Sequence, residues 1–299
     1  MSPRLDAVTL WSLLGLPGGP PGPATGDPGP ADPLGAHRLQ RLTLRMGGRA
    51  IPGRYLRPAG PGPHPAVLYC HAHGNRYETG AAELTEGRPA LQGAYGPALA
   101  DLGIASLAID LAPFGARQGE GPETALAKAC LWHGRPLMGQ MLAELHAAFG
   151  WLDARPEIDG ARIATLGLSM GATHAYWLAA LEPRVAGCAQ LCVFADIAPL
   201  IATGAHDLHG PYMTVPGLLA AGDMGDVAAL IAPRPQLVGL GADDPLTPPA
   251  ARDPALARLR ATYGAAGALE VHVAEGTGHV ETPALRAAVL AFLAWHLRG

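Results

Sequence analysis

Lysine is nearly absent from this sequence: Lys128 is the only one in 299 residues. Positive charge rests on scattered arginines, no basic block forms, and the formal net charge is −4. Nucleic acid and anionic membrane surfaces, which are held by clustered cations, are therefore not expected as partners. Cysteine is also scarce. Cys70, Cys130, Cys188 and Cys192 form no C-x-x-C pair, and three of them sit in strongly apolar surroundings. Buried free thiols are expected, and neither a zinc site nor a disulfide framework. No apolar run approaches the roughly 20 residues that a membrane-spanning helix needs. The opening stretch MSPRLDAVTLWSLLGLPGG has one basic residue, Arg4, a short interrupted apolar run and no small-x-small cleavage site. It reads as an amphipathic helix from about Asp6 to Leu14 and not as a signal peptide, so a cytoplasmic protein is expected.

What is abundant is apolar side chain, 49% of the residues, enough for a sizeable core and against disorder. Proline and glycine crowd residues Pro17 to Pro33. That density predicts no regular element there, so residues 1–36 read as a short helix plus a linker or surface-hugging arm. Residues 37–299 read as one domain. Two alternating runs around Gly47-Gly48 predict a β-hairpin, and HPAVLYCHAHG predicts a strand buried on both faces. Helical segments then alternate with apolar strands at Ile104–Asp110, RIATLGL, VAGCAQLCV, RPQLVGLG and LEVHVAEG. One long helix is expected from about Glu123 to Ala154, and further helices near 96–102, after Ser169, at 250–263 and at the end. Strands alternating with helices predict an α/β fold with a mainly parallel sheet covered on both faces. Such sheets bind ligands beyond the carboxyl ends of their strands. Residues 195–226 break the alternation and read as a lid-like insertion over that edge.

Gly167-Leu168-Ser169-Met170-Gly171 lies between a predicted strand and a predicted helix. This G-x-S-x-G pattern is the nucleophile elbow of α/β-hydrolases, where small neighbours let a sharp turn push the hydroxyl outward. The alternative is a serine that merely caps the helix. A nucleophile needs a base. His279 follows the late strand LEVHVA in a glycine-rich turn, whereas His146, His174, His272 and His296 lie inside predicted helices or strands. The acid that orients the base should follow the intervening strand, where Asp243 and Asp244 are adjacent and the residues alone do not choose between them.

Together the segments LYCHAHG, IASLAIDLAPFGAR, IDGARIATLGLSMGAT, IAPRPQLVGLGADDPLTPP and GTGHVETPALRAAVLAFL resemble α/β-hydrolases of the dienelactone-hydrolase and acetyl-xylan-esterase-like group, from about Leu42 onward. The resemblance implies an α/β-hydrolase fold and places the acid in a Gly-x-x-Asp pattern followed by proline, which selects Asp244. It also implies an oxyanion hole made of the Met170 N–H and one N–H from the loop His71-Ala72-His73-Gly74. Two departures stand out: dienelactone hydrolases proper carry cysteine where Ser169 stands, and the usual strand-end His-Gly is here spread over four residues. His73 is the expected second donor, with Ala72 and Asn75 as alternatives.

The expected chemistry is carboxylic-ester hydrolysis through an acyl-enzyme on Ser169, His279 and Asp244, with no cofactor. A short-chain or small polar acyl ester is the expected substrate, because the group resembled handles such groups and the insertion has few aromatics. A prolyl-oligopeptidase-like serine peptidase and a non-catalytic binding protein are the competing readings. His71, His206, His209, Tyr212, Met213 and Leu218 are candidate pocket residues. A metal reading of the pair His71 and His73 lacks an acidic partner at ligand spacing, and His206, Asp207 and His209 read as lining or gating the pocket, so no metal is expected. Arg117 is expected to be structural. The small-molecule ester is the one partner expected, and the oligomeric state stays open, a homodimer included.

Overall fold

The computed structural model describes residues 5–265 and 267–298. Its strands are β1 (Pro28–Leu34), β2 (His37–Met46), β3 (Arg49–Arg57), β4 (His64–Cys70), β5 (Ala105–Ile109), β6 (Ile158–Leu168), β7 (Cys188–Leu191), β8 (Gln236–Gly241) and β9 (Leu269–Ala274). They form a single sheet in the order β1-β2-β3-β5-β4-β6-β7-β8-β9. The pairings among β1, β2, β3 and β5 are antiparallel. From β5 through β4 to β9 they are parallel.

The helices are α1 (Ala7–Leu13), α2 (Glu83–Glu86), α3 (Tyr95–Asp101), α4 (Glu123–Trp132), α5 (Leu137–Asp153), α6 (Met170–Leu181), α7 (Ile197–Thr203), α8 (Leu218–Ala221), α9 (Met224–Ala229), α10 (Pro249–Tyr263) and α11 (Pro283–His296). Among the described residues no helix is long and apolar enough to cross a membrane.

Alternation along β4 explains the two layers. Ala66, Leu68 and Cys70 enter a core with side chains of α1, α5 and α6. Val67 and Tyr69 enter the opposite core with α3 and α11. Successive strand residues face opposite ways, so a strand covered on both sides must be apolar at nearly every position. Helix α6 is buried along its whole length, which fits a sequence that is apolar on all sides apart from Thr173 and His174.

Three elements differ from the sequence-based expectation. The proline-rich arm contains strand β1, which pairs antiparallel with β2 through a shift between Pro28 and Ala31. At a sheet edge the prolines sacrifice no ladder bond on their free side, and the Gln40 amide donates to the Gly29 carbonyl at 2.8 Å beside the irregularity. The arm is also no loose attachment, since Leu10, Trp11, Leu14 and Ala24 join the main core. The long helix expected from Glu123 to Ala154 is two helices. Gly134, at φ +76°, and Pro136 end α4 and start α5, a glycine stop followed by a proline at the next N-cap.

Arg117 anchors the loop after β5. It is 3% exposed and donates to both oxygens of the fully buried Glu144 at 2.5 and 3.1 Å, to the Asp110 carbonyl at 3.0 Å and to Glu120 at 2.6 Å. Removing one partner of a buried ion pair leaves the other charge desolvated and unpaired. Arg117→Met is therefore expected to lower the unfolding free energy by roughly 3–5 kcal/mol in urea titrations. The double variant R117M/E144L should recover more than half of that loss, and a single variant as stable as wild type would contradict this role.

Candidate active site

In chain order β4 is followed by β5 on one side and then by β6 on the other. A reversal of this kind opens a crevice at the carboxyl ends of the strands flanking it, here β4 and β6. Ser169 directly follows β6, and the loop from His71 to Asn75 directly follows β4.

Ser169 sits at φ +56°, ψ −124°, a conformation costly for a residue with a side chain. Its hydroxyl makes no capping bond to α6, which disposes of the helix-cap alternative. The flanking glycines are required by space. A β-carbon on Gly167 would lie 2.3 Å from the Gly171 backbone, and one on Gly171 would lie 1.9 Å from the Cys70 carbonyl oxygen. With those atoms absent, the first turn of α6 presses against the end of β4. Its leading N–H groups have no helical partner and carry the positive end of the helix dipole.

His279 follows β9, and its Nδ1 donates to Asp244 Oδ2 at 2.7 Å. The Asp244 carboxylate is fully buried and also accepts the Leu246 N–H at 2.9 Å. Asp243, which the residues alone left open, is exposed and turned away from this pair. Gly241 brings the two loops together, because a β-carbon there would lie 2.1 Å from the Gly278 carbonyl oxygen. Ser169 and His279 line the same cavity of about 230 Å³, with Ala72, Leu168, Arg88 and Pro89 among its other walls.

The loop after β4 is held by buried carboxylates. Glu83, fully buried, accepts the Ala72 N–H at 3.1 Å, the Tyr69 hydroxyl at 2.6 Å and Arg88 at 3.1 Å. The Asn75 N–H is taken by the Nδ1 of His73 at 3.0 Å. Both alternatives to His73 as an oxyanion donor are thus already engaged. Among the described residues, nothing accepts the His73 N–H.

The candidate pocket residues divide. His71 does not line the cavity at Ser169: it is fully buried, its Nε2 accepts the Leu111 N–H at 3.1 Å, and its Nδ1 bonds the Ala72 carbonyl at 3.1 Å. It ties the end of β4 to the end of β5, and the strand-end placement that suggested a pocket residue reflects that tie. Tyr212 belongs to the segment 195–226, the cap; it is 3% exposed and stacks on His174 with centroids 5.6 Å apart, so it packs inward from the cap. His206, His209, Met213 and Leu218 do line a cavity, a larger apolar one of about 510 Å³ within the cap. It shares no lining residue with the cavity at Ser169. The link between them is His209, whose Nε2 bonds the Leu246 carbonyl at 3.1 Å, on the loop that carries Asp244.

Glu281 escaped the sequence reading. It is 1% exposed and accepts the Tyr95 hydroxyl and the Gln92 N–H, the latter at 2.7 Å. It thereby pins the turn that carries His279 to the loop 90–95. Those partners lie 186 and 189 positions away, beyond any local signal.

The sheet order, the strained serine elbow and the acid–histidine pair define the class as an α/β-hydrolase. A scan against protein-family models finds no match. "Putative hydrolase YtaP" of Bacillus subtilis (strain 168) is 36% identical over 260 residues, which span 85% of this chain and 87% of the relative. The chain belongs to that hydrolase family. The acetyl xylan esterase of Paenibacillus sp. R4 superposes with a TM-score of 0.70 at 22% identity, covering 98% of this chain and 95% of its own. Acetyl xylan esterase 1 of Thermoanaerobacterium sp. JW/SL YS485 gives 0.70 at 17% identity, covering 99% and 95%. At such identities the likeness is one of fold.

Burial lowers the pKa of His71 to about 3 and of His174 to about 4, from an ordinary 6.5. Both rings are neutral in the folded protein, while the unfolded chain takes up protons below about pH 6.5. Their contribution to stability is complete above that pH and is lost as the pH falls toward 4. Two such groups give a slope of up to about 2.7 kcal/mol per pH unit. His174→Gln should lower the slope measured by urea unfolding between pH 6 and 5 by about 1 kcal/mol per pH unit, and an unchanged slope would contradict this origin.

Proposed function

We propose that this protein is a serine hydrolase of carboxylic esters. Ser169 attacks the acyl carbon, and His279 takes the hydroxyl proton on Nε2. Asp244 fixes the Nδ1–H tautomer and stabilises the imidazolium that forms. His279 then protonates the leaving alkoxide. The acyl-enzyme is hydrolysed by a water from which His279 takes a proton, returning it to Ser169 as the acid leaves. The Met170 and His73 N–H groups receive the negative charge that develops on the carbonyl oxygen. The observation that carries this reading is the shared cavity: a strained serine and a histidine bonded to a buried aspartate face the same space.

The size of that cavity supports a small acyl group. About 230 Å³ is bounded by Ala72, Leu168, Ser169 and other walls, and none of these walls also lines the cavity in the cap. Arg76, Arg88 and Pro89 also border a polar cleft of about 530 Å³ lined by Glu78, Thr79 and Gln92. A polar alcohol portion fits there, in keeping with the acetylated carbohydrate named for the structural neighbours.

Two measurements test this. Ser169→Ala should lower ester turnover by several orders of magnitude with the melting temperature little changed, since nucleophile and base act as a unit. Turnover near wild type in a clean preparation would refute the nucleophile. Across p-nitrophenyl esters from acetate to palmitate, with a peptide amide as control, kcat/KM should peak at about two to six carbons. A long apolar channel would instead add roughly 0.8 kcal/mol of binding per buried CH₂. A maximum at ten or more carbons would reject the small acyl pocket and assign the cap cavity to the acyl chain. Faster cleavage of the amide would favour a peptidase.

A further inference from the structure

We propose that Glu123 is a positioning residue that holds the His73 N–H in place as an oxyanion donor; this rests on the serine-hydrolase reading above. Glu123 opens α4, lies 50 positions from His73 in the chain, and is 3% exposed. Its Oε2 accepts from His73 Nε2 at 2.7 Å and from the Tyr77 hydroxyl at 2.9 Å. Its Oε1 accepts the Tyr212 N–H of the cap at 3.2 Å.

The tautomer of His73 follows from its partners. Nδ1 accepts the Asn75 N–H, so the ring proton sits on Nε2 and is donated to Glu123. The ring is clasped on both sides, and the loop is wound around it. Gly74 and Asn75 hold φ of +51° and +54°, and for Asn75 this conformation is unfavourable without outside support. The neighbouring peptide groups are fixed as well: Glu83 takes the Ala72 N–H, and Arg88 donates to the His73 carbonyl at 3.1 Å. The Ala72 N–H, the His73 carbonyl and the Asn75 N–H are thus bound within the protein, and the ring's outer anchor is Glu123.

Burial by itself would raise the Glu123 carboxyl. The His73, Tyr77 and Tyr212 donors outweigh burial and hold it below the usual range, as a charged anchor requires. A β-carbon on Gly210 would lie 3.1 Å from Glu123 Oε1, so cap and carboxylate are in close contact. No substrate atom is needed for this role, which separates Glu123 from the catalytic residues.

The test is a double-mutant cycle on His73→Ala, which keeps the backbone N–H and removes the ring, and Glu123→Ala. Loss of a whole oxyanion donor typically costs 10²–10³ in kcat, so a displaced donor should cost about 10- to 100-fold. In E123A we expect that loss in kcat, KM within about threefold, and affinity for a boronic-acid transition-state analogue falling in step with kcat/KM. E123Q, which keeps one acceptor oxygen for the ring, should recover most of the loss. The double variant H73A/E123A should be no worse than the poorer single variant, because both remove the same bond. Losses that multiply in the double variant, a loss confined to KM, or a folded E123A with kcat within about twofold of wild type would overturn the proposal. If E123A does not fold, the test passes to H73A, which removes the same bond: a kcat drop of about threefold or more at unchanged KM supports the proposal, and no drop overturns it. Turnover surviving in S169A would overturn the nucleophile reading and this inference together. Unmoved kcat in the Glu123 variants, with S169A inactive, would overturn this inference alone.

Discussion

The first turn of α6 lies against the carboxyl end of β4 with no room for a side chain between them. A single β-carbon at Gly171 would come within 1.9 Å of the Cys70 carbonyl oxygen. This contact sets the spacing of the candidate site, because it places Met170 beside the loop that follows β4. It also explains the Ser169 backbone. A chain that leaves β6 and turns at once into a helix pressed on β4 must pass through a strained residue, and that residue, Ser169, lines the cavity. The strain is sustained by α6, a helix buried along its whole length.

The remaining parts of the site are fastened by buried carboxylates, each doing different work. Asp244 orients His279, Glu281 pins the turn that carries it, Glu83 takes the Ala72 N–H, and Glu123 grips the His73 ring. All four are nearly or fully buried, and all meet donors that satisfy them. A buried carboxylate that lost its donors would be expensive, so each strongly selects the loop geometry that supplies them. Preorganisation of this kind lets backbone donors act on developing charge without reorganising during the reaction. The cap joins the same network through Tyr212 and His209, which contact Glu123 and the Asp244 loop.

What was legible in the sequence was local. The strand–helix alternation follows from periodicity, and the elbow from five contiguous residues. The turn carrying His279 follows from its place after a late strand. Asp244 was separable from Asp243 only by resemblance, since the choice depends on which of two neighbours turns inward at the end of β8. The carboxylates that fasten the loops were not legible, because the loop groups they hold, from the Ala72 N–H to the Gln92 N–H, lie 11 to 189 positions away and each is an ordinary glutamate in its own surroundings. Strand β1 was hidden by its prolines, which an edge tolerates and a central strand does not. The break between α4 and α5 was signalled by Gly134 and Pro136 and masked by apolar periodicity on either side. Four candidate pocket residues of the cap, His206, His209, Met213 and Leu218, lie on a cavity distinct from the space at Ser169, and Tyr212 does not.

The central claim is that Ser169 is a nucleophile activated by His279 and Asp244. Its most direct test is covalent. Wild-type protein and a His279→Ala variant would be treated with a fluorophosphonate and digested, and the adduct located by peptide mass spectrometry. The account predicts one stoichiometric adduct on Ser169 in the wild type and a labelling rate lower by orders of magnitude in the variant. No adduct on Ser169, or labelling equally fast without His279, would contradict it.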